Sequence, residues 1–107
     1  MSNVSKIEQF KQLIEMDQND AVLHYGLGVE YLRQETIPAA VEEFRRTLEL
    51  KPDYSAAYRD LGRALEKLDQ NREAVEAYRR GVGVAKQNGD LQTIKEIEVF
   101  LKRMEVE

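Results

Sequence analysis

The chain has 107 residues, of which 42% are apolar and 34% charged, as expected for one soluble globular domain with a modest core. Its formal net charge of −4 argues against a nucleic-acid binder, which usually carries a basic stripe that neutralises phosphates. It has no cysteine, and this excludes disulfides, a thiolate nucleophile and a Cys-based zinc site.

The first predicted helix covers residues 5–16, where apolar side chains recur with helical period at Ile7, Phe10, Leu13, Ile14 and Met16. The polar run at residues 17–20 interrupts it, and Asp20 is a good N-cap for the next helix. The spacing predicts further helices over residues 21–34, 38–50, 55–68, 72–87 and 91–104. Pro38 fits a first helical turn, and Gly89 with Asp90 supplies a helix stop and the cap of the last helix. We interpret the chain as one all-α domain of about five helices.

A set of residues in the first helix pair returns 34 positions later. Leu27-Gly28, Tyr31, Ala40, Phe44 and Leu48 are followed by Leu61-Gly62, Leu65, Ala74, Tyr78 and Val82. This period is typical of a helix–turn–helix repeat whose units stack side by side. Over nearly all of residues 5–88 the chain resembles the tetratricopeptide-repeat family. The register gives a half repeat at 5–20, full repeats at 21–54 and 55–88, and a capping helix at 90–105.

The resemblance implies stacked antiparallel helix pairs in a right-handed superhelix, with the first helix of each pair lining a concave face. Members commonly hold an extended peptide or a short helix of a partner protein there. The implied groove residues are Val22, Tyr25, Val29, Leu32, Arg33, Ala56, Arg59, Arg63, Glu66 and Lys67. One subgroup clamps the terminal carboxylate of heat-shock chaperones with Lys and Asn. Tyr25 and Val29 stand at those two positions here, so chaperone binding is not implied.

Arg59 and Arg63 lie one helical turn apart and therefore share a face. They are either two solvated arginines or a contact for an acidic side chain or carboxylate, which the planar guanidinium recognises well. We expect both side chains to be solvated in the free protein. The main hypothesis is an adaptor whose groove holds a partner segment with an apolar anchor and an acidic residue or carboxylate.

The alternative is a structural subunit that self-associates as a homo-oligomer. The half repeat lacks its first helix, which leaves one side of Ile7, Phe10 and Ile14 short of cover. We expect no enzyme, metal site or cofactor, since His24 is the only histidine and reads as a packing residue with one satisfied nitrogen. The start of the chain does not look like a signal peptide, and no stretch approaches the roughly 20 apolar residues of a membrane span. We therefore expect no membrane partner and a cytoplasmic location.

Overall fold

A computed structural model describes residues 5–104 of the chain, and these residues form six α-helices. They are α1 (Lys6–Met16), α2 (Ala21–Arg33), α3 (Ile37–Leu50), α4 (Ser55–Lys67), α5 (Asn71–Asn88) and α6 (Leu91–Arg103). The predicted all-α fold is confirmed. The six helices match the six segments that the spacing predicted, and the stated number of about five was close to this.

Three of these helices begin with a residue whose side chain caps the first turn. The Asp20 carboxylate accepts hydrogen bonds from the backbone N–H groups of Val22, at 2.9 Å, and Leu23, at 3.4 Å. Ser5 caps α1 and Asp90 caps α6 in the same way. Each cap accepts a hydrogen bond that the first turn of a helix cannot make internally, which fixes where the helix begins.

The turn inside each full repeat is built alike. Glu35 and Asp69 adopt left-handed backbone angles, with φ of 61° and 59°. The N–H of the residue after each one donates to the carbonyl of Tyr31 or Leu65, at 2.8 and 2.9 Å. This bonding satisfies the last carbonyls of α2 and α4 and reverses the chain in three residues. The second helix of each pair therefore runs back antiparallel along the first.

The core lies between the helices of each pair and continues from one pair to the next. Phe44 lies against Gly28 and Tyr78 lies against Gly62, and neither aromatic ring is exposed to solvent. The predicted small residues Ala40 and Ala74 are also fully buried. At the far end, Ile97 of α6 is fully buried, so α6 covers the second repeat as a cap should.

The contacts between helices define two sides of the molecule. Helix α2 contacts α4, and α4 contacts α6, so these three helices lie side by side on one face, here called the inner face. Helices α1, α3 and α5 alternate with them along the chain and form the outer side. All of the predicted groove residues belong to α2 or α4, the helices of the inner face.

Candidate functional site

A hydrogen-bonded network joins α2, α4 and α6 at the middle of the inner face. The Arg59 guanidinium donates to both carboxylate oxygens of Asp60, at 3.0 and 3.1 Å, and to Oε1 of Glu96, at 2.8 Å. It also donates to the hydroxyl oxygen of Tyr25 at 3.1 Å, and that hydroxyl donates to Oδ2 of Asp60 at 2.5 Å. The structure thus brings Tyr25 and Arg59 of the predicted groove into direct contact.

The expectation that Arg59 is solvated is wrong. Only 20% of its side chain is exposed, and the Asp60 side chain beneath it is 4% exposed. The guanidinium is already matched by two carboxylates, so its charge is neutralised inside the protein. Arg63, one turn further along α4, behaves as expected, with 47% of its side chain exposed and a long contact of 3.6 Å to Asp60.

The network keeps Tyr25 and Arg59 protonated. Burial and the Asp60 carboxylate raise the pKa of the Tyr25 hydroxyl well above its ordinary value. Burial lowers the pKa of Arg59, but its hydrogen bonds with Asp60 and the charge of that carboxylate outweigh this, and the pKa lies above its ordinary value. Tyr25 therefore remains a donor and Arg59 remains a cation at neutral pH. This arrangement holds three helices together.

A second part of the inner face is a basic pocket near the carboxyl ends of α4 and α6. It encloses about 350 Å³ and is lined by Arg63, Glu66, Lys67, Phe100 and Arg103. The guanidinium carbons of Arg63 and Arg103 lie 5.9 and 5.3 Å from the centre of the Phe100 ring. Its lining holds three cations against one carboxylate, so the pocket favours an anionic ligand.

The three cations of the basic pocket are only partly neutralised by carboxylates of the protein. Lys67 is 42% exposed and lies 3.4 Å from Glu35, while Arg103 is 59% exposed and donates to both oxygens of Glu66 at 2.8 and 3.0 Å. Glu66 also accepts a hydrogen bond from the Tyr78 hydroxyl, and burial together with that carboxylate raises the pKa of Tyr78. Exposed ion pairs are weak, so an incoming carboxylate can compete for these cations.

The sequence reasoning missed Phe100 and Arg103. It treated α6 as a cap only, although α6 also borders the inner face through its contact with α4. One signal was present in the sequence. Phe100 and Arg103 are three residues apart on a helix, and this spacing places them on one side of it.

The remaining predicted groove residues divide between the surface and the core. Val22 is 59% exposed, and Tyr25 and Val29 are half-buried. Leu32 is 8% exposed and belongs to the core, so it offers a ligand little surface. Arg33 is exposed and lies 3.5 Å from Glu30, and Ala56 is half-buried.

His24 is buried, as expected of a packing residue, but both of its ring nitrogens are engaged. Nδ1 lies 2.7 Å from Oε1 of Glu43, and Nε2 lies 2.8 Å from the carbonyl oxygen of Gln18. Between residues 5 and 104 there is no group of three or more His, Asp or Glu side chains placed to hold a metal ion. Within the same range, no helix combines the length and the apolar character needed to cross a bilayer.

Comparison with known proteins decides the family. The sequence profile of the tetratricopeptide repeat matches residues 7–55 and 25–90. The chain belongs to the tetratricopeptide-repeat family. It is 32% identical over 99 residues to a TPR repeat-containing protein of Pseudomonas aeruginosa, covering 92% of this chain and 94% of that one.

Two solved structures are similar along most of the chain. A protein from Bordetella parapertussis, solved in solution, has a TM-score of 0.82 at 30% identity, covering 94% of this chain and 87% of that one. A tetratricopeptide repeat domain protein from Salinibacter ruber has a TM-score of 0.75 at 30% identity, covering 82% of this chain and 99% of that one. The stacked helix pairs are therefore those of this family.

A larger depression, of about 760 Å³, lies away from the inner face of this tetratricopeptide domain. Its floor is formed by side chains of α4 and its rim by α3 and α5, with Arg45 and Glu73 paired at 3.2 Å. The floor residues Tyr58, Leu61 and Leu65 are each at most 6% exposed, so these three offer a ligand little apolar contact. The charged groups that line the depression are two arginines and three glutamates, whereas cations predominate in the smaller basic pocket.

Proposed function

We propose that the inner face binds a short segment of a partner protein and that the basic pocket receives an acidic residue or terminal carboxylate of that segment. The tetratricopeptide fold is generally a protein–protein interaction module, and this supports the broad function. The observation that carries the finer proposal is that three exposed cations, Arg63, Lys67 and Arg103, line one pocket with Phe100, and that both guanidinium groups lie over its ring.

The two halves of the inner face suit different parts of such a segment. Val29 and Arg63 occupy equivalent positions of the neighbouring helices α2 and α4, so an extended chain can reach from one to the other. The segment's apolar anchor contacts Tyr25 and Val29, and its acidic group enters the basic pocket. Phe100 shields one side of both guanidinium groups from water, which strengthens their hydrogen bonds to a carboxylate.

The affinity of this face is expected to be modest. Three short helices bury less surface than the roughly 1,600 Å² of a standard interface. We therefore expect dissociation constants in the micromolar range, or about −8 kcal/mol. Binding should weaken as salt rises, because the contact charges lie at the surface.

The test is a selection of random dodecapeptides on the immobilised full chain, followed by fluorescence polarisation with the enriched peptides. We expect enriched sequences to combine Asp or Glu with an aromatic or aliphatic residue. The triple variant Arg63→Gln/Lys67→Gln/Arg103→Gln should bind them about tenfold or more weakly, with a flatter salt dependence. A control on the outer side, Arg45→Gln/Arg46→Gln/Lys51→Gln, changes the net charge equally at similarly exposed positions.

The proposal fails if both triple variants lose affinity to the same extent, because net charge alone would then explain the binding. It also fails if the enriched peptides carry no acidic residue. A thermal melt of both variants shows whether the fold is retained. The inner-face variant should keep a single helical transition, since all three side chains are at least 42% exposed.

A second candidate function is self-association through α1, and it has its own observation. Leu13 and Met16 of α1 are 46% and 84% exposed, and they are the large apolar side chains of the half repeat that face solvent most. Ile7, Phe10 and Ile14, which the sequence suggested as uncovered, are half-buried, and the Phe10 ring lies against Gly26 of α2. The accessible apolar surface of α1 is therefore formed mainly by Leu13 and Met16.

A further inference from the structure

One face of α1 corresponds to a face that is buried in both full repeats. Moving forward by 34 and 68 residues, Lys6, Phe10 and Leu13 fall on Ala40, Phe44 and Thr47, and then on Ala74, Tyr78 and Gly81. These six equivalents are buried, five of them with no measurable exposure. In α1 the Lys6 side chain is 66% exposed and Leu13 is 46% exposed. Phe10, between them, is half-buried against Gly26 of α2, so residues 5–104 leave uncovered the part of this face around Lys6 and Leu13.

The residues on this face are self-complementary when a second copy of the helix is placed antiparallel to the first. Lys6, Phe10 and Leu13 lie on one stripe of α1, and Asp17, the C-cap residue, follows Leu13 by four positions at the end of that stripe. The Asp17 carboxylate accepts one hydrogen bond, from the backbone N–H of Asn19 at 3.3 Å, and has further lone pairs for a cation. Turned end for end, the stripe places a cation opposite an anion and an apolar residue opposite an apolar residue. A two-fold interface requires a self-complementary surface of this kind.

We propose that two copies of the chain pair through α1, with the helices antiparallel about a two-fold axis at the middle of this stripe. Lys6 then faces Asp17 of the partner subunit, and Phe10 faces Leu13 of the partner subunit. This pairing rests on the self-association proposed above and specifies its partner and geometry. The second copy supplies the helix that the half repeat lacks.

The rest of α1 is compatible with this pairing. Glu8 and Glu15 lie on the opposite side of the helix, so they do not bring like charges together across the axis. Lys6 lies 3.8 Å from Glu30 in its own chain, a long ion pair that leaves the ammonium accessible to a second carboxylate. Met16, which is 84% exposed, flanks the stripe and adds apolar area.

The dimer is expected to be weak. Each copy contributes one eleven-residue helix, far less than the roughly 1,600 Å² of a standard interface, so we expect a micromolar dissociation constant. Sedimentation equilibrium of the full chain up to about 0.5 mM measures it. The wild-type chain should shift from monomer to dimer over this range.

Charge exchange tests the pairing itself. Lys6→Glu and Asp17→Lys should each raise the dissociation constant about tenfold, because each places like charges together twice in the dimer. The double variant Lys6→Glu/Asp17→Lys should return to within about threefold of wild type, since opposite charges meet again. Leu13→Lys should abolish the dimer at an unchanged melting temperature. The matched control Val99→Lys, on the exposed side of α6, should leave the dimer intact.

The possible failures are distinct. A wild-type chain that stays monomeric at 0.5 mM overturns self-association and the pairing with it. If the chain dimerises but neither the single charge changes nor Leu13→Lys alter its dissociation constant, only the pairing is overturned. The pairing is also overturned if the double variant dimerises no more tightly than the two single variants, because the two charges would then act separately. The peptide-binding role of the inner face is untouched by each of these outcomes.

Discussion

Two glycines inside helices provide a sharp test of the repeat packing, because the same substitution should have opposite effects at them. A Cβ atom added at Gly62 would lie 2.5 Å from Cδ1 and 2.8 Å from Cζ of Tyr78, well inside contact distance. A Cβ atom added at Gly83 would meet nothing within 4 Å. Gly62→Ala therefore overpacks the crossing of α4 and α5, whereas Gly83→Ala only improves the helix propensity of α5.

The magnitudes follow from the surroundings of Tyr78. Replacing glycine by alanine inside a helix stabilises by about 1 kcal/mol where space allows. Overpacking a tight core position costs about 1–3 kcal/mol. The Tyr78 ring cannot move aside easily, because it is fully buried, its hydroxyl donates to Glu66 and it packs 5.6 Å from the Phe100 ring. We expect Gly83→Ala to gain about 0.5–1 kcal/mol and Gly62→Ala to lose about 1–2 kcal/mol.

Urea unfolding followed by circular dichroism at 222 nm measures both variants against the wild-type chain. In a domain of this size, 1 kcal/mol corresponds to about 4–8 °C in melting temperature, so the two variants should melt about 6 °C or more apart. If Gly62→Ala is as stable as Gly83→Ala, the close crossing of α4 and α5 is not a tight contact. The bulkier Gly62→Leu should then be tolerated too, and the role assigned to this glycine in the repeat would be wrong.

The fold could be predicted from sequence because its determinants are local and repeated. The cap at Asp20, Pro38 in the first turn of α3 and the left-handed Gly89 each act within a few residues of their position. The pairs Phe44 with Gly28 and Tyr78 with Gly62 recur at the period of 34, so one interpretation of the repeat accounts for both. No predicted helix boundary was wrong by more than one residue.

The candidate site could be predicted only in part, because its partners come from different repeats. Arg59 was placed correctly on the inner face, but its state depends on Glu96, 37 residues away, and on Asp60 beneath it. A pattern of exposed and buried positions cannot show that a neighbouring carboxylate has already neutralised an arginine. The basic pocket likewise depends on Phe100 and Arg103 of α6, which lies outside the repeat pattern.

Two further predictions test the polar contacts between helices. Arg59→Met should destabilise by about 2–4 kcal/mol, since it leaves the buried Asp60 without its main partner, whereas Arg63→Met, one turn away and 47% exposed, should cost less than about 1 kcal/mol. Equal losses in urea unfolding would show that Arg59 is not integral to the fold. The second prediction concerns Asp90, whose pKa is lowered by hydrogen bonds from Ser55, at 2.6 Å, and from Thr93. A folded-state pKa below the unfolded one means that the carboxylate stabilises the fold above about pH 4 and that this contribution is lost as the pH falls through the folded value. Asp90→Asn keeps an acceptor oxygen for the cap but removes its charge, and hydrogen bonds to an ionised acceptor are the stronger ones, so the variant should lower stability by about 1 kcal/mol at pH 7 and by less at pH 2.5. A difference between variant and wild type that is the same at both pH values would show that the contact of α6 with α4 through Asp90 does not depend on its charge.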